Sequence, residues 1–247
     1  MDRSYWEKIA PAYDTEIFDV LKNDSKGIIV SAINQFASAE KSVIDIGCAI
    51  GKWLPVLSPA FKKVYAVDIS IENLNIAKKL FPEFTNVEYS RVDMSNPRAK
   101  IKACDFAICI NAILTDSLKN RNTFFTNLKK CVKKNGRIIL VIPSLESSML
   151  TSIIRQRWDP DNDAADFISK TKKNQQFKNL LQGNAEIDKV PTKHYLKEEL
   201  ELLLANEGFA AEEFHKIEYD WSTEFLKPPK WLKQPRPWDW MVLGKKK

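Results

Sequence analysis

Polar side chains stand in or directly after four short apolar runs, and the first of these runs ends in a turn that contains two glycines. The polar residues are Asp45, Asp68, Asp93 and Asn111, and the turn runs from Gly47 to Gly51. Ligands of open α/β sheets bind outside the carboxyl ends of strands, and glycine lets the backbone approach a ligand with no side chain in the way. Carboxylate and amide oxygens accept hydrogen bonds from hydroxyl and amino groups. We therefore expect these residues to hold a cofactor.

The glycine spacing excludes two common nucleotide-binding turns. The fingerprint G-x-G-x-x-G needs a third glycine for close packing of helix on strand, but Lys52 stands at that place. The G-x-x-x-x-G-K-[ST] phosphate loop is also missing from the sequence. The turn instead matches h-h-D-h-G-x-G-x-G, with Ala49 in the place of the middle glycine.

Strand-like and helix-like segments alternate around this turn. Short apolar runs predict strands, and apolar residues at helical spacing predict the helices between them. The predicted strands cover residues 43–46, 64–67, 87–92, 105–110 and 137–142, and the predicted helices cover residues 52–57, 70–81 and 118–132. A further helix is predicted at 197–206, followed by two final strands at 212–221 and 239–243. This order specifies an α/β fold, a doubly wound, seven-stranded, mostly parallel sheet with helices on both faces.

Two segments depart from this alternation. Residues 4–13 and 16–36 predict helices that either pack as a pair or form an N-terminal flap over the mouth of the glycine turn. Residues 144–191 are polar with scattered apolar anchors, among them Trp158, Phe167, Phe177 and Leu180, and predict a cap of two or three helices. We expect a single domain over residues 1–247. It divides into N-terminal helices (1–38), a cofactor-binding core (39–143), a helical cap inserted after the fifth strand (144–192) and a C-terminal helix with a strand pair (193–247).

The composition narrows the partners and the setting. The chain carries a net charge of +6 over 247 residues, but its basic residues form scattered doublets. Nucleic-acid binding favours a basic stripe with interleaved aromatics, so we do not expect a nucleic-acid partner. Four cysteines without a CxxC pair favour a reduced, cytoplasmic setting and predict no metal site. We expect no membrane contact, because no apolar run has the length of a span and the first residues do not resemble a signal peptide.

Five segments match the motifs of one family in the right order. They are Val43-Ile-Asp-Ile-Gly-Cys-Ala-Ile-Gly51, Val64-Tyr-Ala-Val-Asp68-Ile-Ser, Glu88-Tyr-Ser-Arg-Val-Asp93-Met, Cys104-Asp-Phe-Ala-Ile-Cys-Ile-Asn111 and Leu128-Lys-Lys-Cys-Val-Lys-Lys-Asn-Gly136. Together they resemble the motifs of class I S-adenosylmethionine-dependent methyltransferases, in the Rossmann-like methyltransferase superfamily. The resemblance extends to residues 6–14 and 194–209 and so covers most of the chain except the cap and a Pro-rich link. It implies the same sheet, with the last strand antiparallel, and S-adenosyl-L-methionine as cofactor.

The resemblance implies a role for each polar or glycine position of the core. The implied cofactor-binding residues are Asp45, Gly47, Cys48, Gly51, Asp68, Ile69, Asp93, Met94 and Asn111. Gly47 and Gly51 would bring backbone close to the methionine and ribose parts, and Asp45 would hold the turn and the cofactor's amino group. Asp68 would accept hydrogen bonds from both ribose hydroxyls. Ile69 and Met94 would enclose the adenine, Asp93 would accept from its exocyclic amine, and Asn111 would lie beside the methionine part.

Three residues are candidates for catalysis: Tyr13, which could close over the methyl end, Asp116 and His194. Residues 115–116 stand where many relatives have a histidine pair, which puts histidine catalysis at that place in doubt. Simpler roles remain open. Asp68 could cap the next helix, Asp93 could be a turn residue, Tyr13 could be ordinary packing and His194 could be a surface or helix-start residue.

The resemblance implies transfer of a methyl group by in-line displacement. The predicted cap, which would close the pocket, and the lack of a recognisable RNA-binding module favour a small-molecule acceptor. A sulfonium methyl is already activated, so transfer depends on orientation and desolvation more than on side-chain chemistry. A general base matters only for an acceptor that holds its proton at neutral pH. An RNA or protein methyltransferase, or a non-catalytic S-adenosylmethionine-binding subunit, are the alternatives. The cap would select the acceptor.

Overall fold

The computed structural model describes residues 3–158, 179, 181–187 and 190–247, and a seven-stranded sheet lies at its centre. The strands of this sheet are β1 (Ser38–Ile46), β2 (Phe61–Asp68), β3 (Val87–Arg91), β4 (Cys104–Ile110), β5 (Val132–Pro143), β8 (Phe209–Glu218) and β9 (Trp238–Lys246), while β6 (Asn184–Ile187) and β7 (Val190–Lys193) form a separate pair. The sheet order is β3-β2-β1-β4-β5-β9-β8. Strands β1 to β5 are parallel, and β9 is antiparallel to both β5 and β8.

Helices cover both faces of the sheet. They are α1 (Arg3–Ile9), α2 (Tyr13–Glu16), α3 (Val20–Asn23), α4 (Ile28–Phe36), α5 (Leu54–Ala60), α6 (Ile71–Leu80), α7 (Leu118–Cys131), α8 (Leu145–Trp158) and α9 (Lys197–Asn206). Because side chains alternate along a strand, Ile138 and Leu140 of β5 join the core under α7 and α9, whereas Ile139 and Val141 join the core under α4, α5 and α6. The doubly wound architecture is confirmed.

The predicted alternation of strands and helices and the antiparallel last strand are confirmed, although some ends differ. Strand β1 begins at Ser38 and β2 at Phe61, because the two residues pair with each other beyond the apolar runs. Helix α5 begins at Leu54, after a turn over residues 51–53. Helix α7 ends at Cys131, since the next residue already pairs with β4, so the Asn135-Gly136 step lies within β5.

The N-terminal segment consists of short helices joined by turns. Pro11 lies in a 3-10 turn between α1 and α2, and Gly27, with φ of 61°, precedes α4. The Asp24 carboxylate accepts hydrogen bonds from the backbone N–H groups of Ile28 and Ile29, at 3.0 and 2.8 Å, which fixes the start of α4. These breaks let the segment fold back across the carboxyl edge of the sheet.

The cap contains a β-hairpin that the helical periodicity did not predict. Helix α8 leaves β5 directly, and β6 pairs with β7 in antiparallel register. Isolated bridges from Thr115 to Thr192 and from Ser144 to Tyr195 fasten this part to the core. The anchors predicted at 167, 177 and 180 lie outside the described residues. In the described part of the chain, no helix has both the length and the apolar character needed to cross a membrane.

Candidate active site

A cavity of about 240 Å³ lies at the carboxyl edge of β1, β2 and β4. Strand ends of a parallel sheet share this edge, so residues distant in sequence meet there. Nine of the predicted site residues border the cavity: Tyr13, Asp45, Gly47, Cys48, Asp68, Ile69, Asp93, Met94 and Asn111. Gly51, Asp116 and His194 do not border it.

The glycine turn is held against β2 by its own backbone. The N–H groups of Gly47 and Cys48 both donate to the Val67 carbonyl oxygen, at 2.8 and 3.0 Å. Gly47 has φ of 74°, and a Cβ built on it would lie 2.5 Å from the Ala112 Cβ. Glycine is therefore required at position 47 by both backbone conformation and space. Ala49, at the middle glycine's place, also has a positive φ, of 47°.

Gly51 serves the packing of the turn. A Cβ there would lie 2.7 Å from a Leu54 methyl carbon and 3.2 Å from side-chain carbons of Ala77 and Phe81. Its φ of 86° also favours glycine. The structure thus places Gly51 between α5 and α6, away from the cavity lining where the sequence-based assignment put it.

The Asp68 carboxylate ties the turn to the start of α6. Its Oδ2 accepts from the Ala49 N–H at 2.9 Å, and its Oδ1 accepts from the Ser70 N–H at 2.8 Å and from Asn73 Nδ2 at 3.4 Å. Burial raises the pKa of Asp68, against the lowering effect of these hydrogen bonds. Ser70 supplies the N-cap of α6, since its side chain accepts from the Asn73 N–H. A carboxylate has about four acceptor sites, so about one remains beside the weak Asn73 contact.

Asp45 and Asn111 each keep an unused hydrogen-bond acceptor. Asp45 Oδ2 and Asn111 Oδ1 are buried and have no hydrogen-bond partner among the described residues. Burial first, and then the charge of Asp68, raise the pKa of Asp45 to about 8. Buried polar atoms are nearly always hydrogen-bonded in folded proteins. Two unpaired acceptors at the border of one cavity therefore point to a ligand that donates hydrogen bonds.

Asp93 and Met94 continue the lining from the segment after β3. Asp93 Oδ1 accepts from the Ser95 N–H at 2.8 Å, which matches the turn role, while the residue also borders the cavity. Met94 is buried, and its carbonyl oxygen accepts from Asn127 Nδ2 at 2.9 Å. Helix α7 thus holds this segment in place beside the cavity.

The N-terminal segment covers the cavity and is fastened to α6. Tyr5, Trp6, Tyr13, Ile17 and Phe18 contribute to the lining. The Glu7 carboxylate accepts from Ser70 Oγ at 2.8 Å and from the N–H groups of Ile71 and Glu72, at 3.1 and 3.0 Å. Burial acts to raise the pKa of Glu7, but these hydrogen bonds lower it to about 2. The N-terminal segment therefore lies where a flap over the glycine turn would lie, rather than forming only a pair of packed helices.

A second contact joins the flap to the glycine turn. Lys52 Nζ lies 2.8 Å from Asp14 Oδ1 and 2.6 Å from Asp19 Oδ2. Tyr13, from the same segment, borders the cavity. Burial, and then the charge of Asp68, raise the pKa of Tyr13. Tyr13 therefore remains a protonated phenol at neutral pH and cannot act there as a base.

Asp116 and His194 lie elsewhere. Asp116 is exposed. His194 is buried, its Nδ1 lies 3.0 Å from the Thr192 carbonyl oxygen and its backbone N–H donates to Gly183. Burial lowers the pKa of His194. In the described residues neither side chain reaches the cavity, so their catalytic assignment gains no support from the geometry.

Sequence patterns did not identify several residues of the site. Glu7 and Lys52 hold the flap, and Asp239 of β9 accepts from Asn111 Nδ2 at 2.9 Å. Asp239 stands 128 positions after Asn111, and only the register of β9 against β5 brings it next to Asn111, behind the cavity lining. In the sequence, Asp239 is visible only as an acid at the start of the last apolar run. Its role could not be predicted without the register of β9 against β5.

Comparison with known proteins decides the family. The model of a family described as a methyltransferase domain matches residues 21–213. The chain belongs to this methyltransferase family. Its fold is that of the class I S-adenosylmethionine-dependent enzymes, and the family implies S-adenosylmethionine as its cofactor. No curated protein has a significantly matching sequence.

Solved methyltransferases share this fold at low sequence identity. One from Anabaena variabilis ATCC 29413 has a TM-score of 0.65 at 14% identity, over 99% of this chain and 93% of that one. One from Methanosarcina mazei has a TM-score of 0.61 at 17% identity, over 87% and 96%. The N-methyltransferase NodS from Bradyrhizobium japonicum WM9, in complex with S-adenosyl-L-homocysteine, has a TM-score of 0.63 at 10% identity, over 99% and 97%.

The cavity suits the cofactor that the family implies. S-adenosylmethionine carries a sulfonium and an ammonium group, and Asp45, Asp68 and Asp93 border the cavity. Lys52 is the one basic residue among the described residues that border the cavity, and it is already paired with Asp14 and Asp19. The unpaired oxygens of Asp45 and Asn111 offer acceptors for an ammonium group. The methyltransferase therefore has residues of the right charge and hydrogen-bonding type for this cofactor.

Proposed function

We propose that this methyltransferase transfers the methyl group of S-adenosylmethionine to a small, largely apolar acceptor. The observation that carries the proposal is the apolar part of the cavity lining. It includes flap residues Ile17 and Phe18, together with Leu114, Pro143 and Ile187 of the hairpin. Such a lining favours a molecule that fits inside the cavity over a polymer that would lie across its rim.

The cofactor-binding roles follow from the positions of the acids. We assign the ammonium group to Asp45 Oδ2 and Asn111 Oδ1, the two acceptors left unpaired. We assign a ribose hydroxyl to Asp68, whose capacity beyond its three donors is about one hydrogen bond. A second hydroxyl would have to displace the 3.4 Å contact from Asn73. Ile69 and Met94 would enclose the adenine, and Asp93 would accept from its amine.

The chain contributes orientation and desolvation to the reaction. S-adenosylmethionine supplies a methyl group already activated on a positively charged sulfur. The flap covers the site, and Tyr13 keeps its phenolic proton at neutral pH, so it can donate a hydrogen bond. Such a site accelerates the transfer by aligning the two bound reactants and excluding water. The acceptor therefore needs a lone pair that is free at neutral pH, as an amine near its pKa has.

A labelled-methyl assay tests the acceptor class. Purified protein is incubated with S-adenosylmethionine carrying a tritiated methyl group and a cell extract separated into small-molecule, RNA and protein fractions. We expect label in the small-molecule fraction. Label in RNA or protein would replace this proposal by the corresponding macromolecular activity. Cofactor binding without label in any fraction would favour a non-catalytic binding subunit.

Calorimetry with S-adenosylhomocysteine tests the cofactor site separately. Asp68→Ala should weaken binding by about 1.5–3 kcal/mol, the range for hydrogen bonds to charged groups. Because Asp68 also holds Ala49 and Ser70, the affinity is measured well below the melting temperature of the variant. Unchanged affinity would refute the ribose assignment.

A further inference from the structure

Asn111 adopts a backbone conformation that brings its amide to the cavity. It directly follows β4 and has φ of 48°, in the left-handed region that asparagine tolerates better than most residues. Its N–H donates to the Val141 carbonyl oxygen at 2.8 Å, which fixes the backbone. The side chain borders the cavity, with Nδ2 donating to Asp239 and Oδ1 unpaired.

Asp239 determines which way this amide faces. It is buried at the start of β9, paired with Pro143 of β5. Its Oδ2 accepts from Asn111 Nδ2 at 2.9 Å and from the Tyr219 hydroxyl at 2.8 Å. Burial raises the pKa of Asp239, against the lowering effect of its hydrogen bonds from Asn111 and Tyr219. In its ionised form the carboxylate only accepts hydrogen bonds, which matches the observed orientation, with the Asn111 amide nitrogen toward Asp239 and the amide oxygen away from it. The orientation of the Asn111 amide is thus set by its hydrogen bond to Asp239 as well as by its backbone conformation.

We propose that Asp239 is a positioning residue that keeps the Asn111 carbonyl oxygen turned toward the amino-acid part of the cofactor. The proposal rests on the cofactor site described above and extends it to a residue that does not border the cavity. Without Asp239, the amide can rotate and present its nitrogen, a donor, to an ammonium group that can only donate. In this role Asp239 acts on the cofactor through the orientation of Asn111 and not through its own charge.

Binding of two ligands separates this role from a structural one. S-adenosylhomocysteine has the amino-acid part, and 5′-methylthioadenosine lacks it. Asp239→Ala should weaken S-adenosylhomocysteine binding by about tenfold or more, with little change for 5′-methylthioadenosine. Asp239→Asn should restore most of the affinity, because its amide oxygen can accept from Asn111 at the same place. Asp239→Leu, of similar size, replaces the alanine variant if that variant does not fold.

Two controls test whether Asp239 acts through Asn111. Asn111→Gly suits the positive φ and removes the amide, so adding Asp239→Ala to it should cause no further loss of S-adenosylhomocysteine affinity. Tyr219→Phe removes one donor to Asp239 but leaves the Asn111 contact, and it should leave the ratio of the two affinities unchanged.

Several results would overturn the assignment. One is that Asp239→Ala weakens the binding of both ligands equally. Another is that Asp239→Asn binds S-adenosylhomocysteine as weakly as Asp239→Ala does. The third is that the losses of affinity add in the double variant. Equal weakening would indicate a structural role, and failure of the asparagine variant would indicate that the charge itself matters. If the wild-type protein bound neither ligand, the proposed cofactor site would fail, and that result is visible before any variant is compared.

Discussion

Asp45→Asn tests the electrostatics of the cofactor site. The Asp45 carboxyl is buried, its Oδ2 has no partner in the described part of the chain, and burial together with the Asp68 charge raises its pKa to about 8. The ligand-free protein should therefore hold a proton on Asp45 at neutral pH. A bound ammonium group favours the ionised carboxylate, so cofactor binding should release that proton.

The expected proton release follows from the pKa. With a pKa of about 8, Asp45 is about 90% protonated at pH 7 and about 10% protonated at pH 9. Binding should thus release about 0.9 proton per site at pH 7 and about 0.1 at pH 9. The affinity for S-adenosylhomocysteine should rise by up to about tenfold per pH unit between pH 6 and 8.

The same group affects the stability of the ligand-free protein. Its folded-state pKa of about 8 lies above the ordinary value of 3.8, so between these values the native state binds a proton that the unfolded chain has lost. The free energy of unfolding therefore falls as pH rises from about 4 to about 8, by at most about 4 kcal/mol at pH 7. Asparagine does not ionise, so Asp45→Asn should raise the free energy of unfolding at pH 7 much more than at pH 4.

Calorimetry measures the proton release. S-adenosylhomocysteine is titrated in buffers of equal pH and different ionisation enthalpy. The slope of the observed binding enthalpy against the buffer ionisation enthalpy gives the number of protons released. Urea denaturation at pH 4 and pH 7 gives the stability change of the ligand-free protein. The reasoning is refuted if the wild type releases no proton at pH 7, or if Asp45→Asn releases as many as the wild type.

Four further predictions concern the flap and the glycine turn. Glu7→Gln should loosen the flap, because an amide offers one acceptor oxygen where two oxygens now bind Ser70, Ile71 and Glu72; limited proteolysis should cut the N-terminal segment of the variant sooner, and equal rates would contradict this. In the wild type the Glu7 contact should weaken only as pH falls below the ordinary value of 4.5 toward about 2. Ala49→Gly should stabilise the protein by up to about 1 kcal/mol in urea denaturation, because alanine at a positive φ costs about 1–2 kcal/mol and the extra freedom of unfolded glycine offsets part of that gain. Gly47→Ala should destabilise it by about 1–3 kcal/mol, since its Cβ would lie 2.5 Å from the Ala112 Cβ, and a variant of wild-type stability would show that the turn adjusts freely.

The order of elements and most of the cofactor side could be predicted from local patterns. Apolar runs set the strands, helical spacing set the helices, and connections between parallel strands follow known handedness. These rules place Asp45, Asp68 and Asn111 at one edge of the sheet wherever their strands pair in parallel. The ends of the elements were less predictable, because pairing such as that of Ser38 with Phe61 adds residues that carry no apolar signal.

Local patterns were enough to predict the strands, the glycine turn and the family motifs, because each depends on residues close together in the chain. The contacts around these elements could be seen only in the folded protein. Glu7 reaches α6 across 63 residues, and Asp239 reaches Asn111 across 128. The packing at Gly51 could also be seen only in the folded protein. A side chain at position 51 would clash with residues of α5 and α6, and the position does not border the cavity. Such contacts depend on strand register and on how the flap docks, and neither leaves a periodic pattern in the chain.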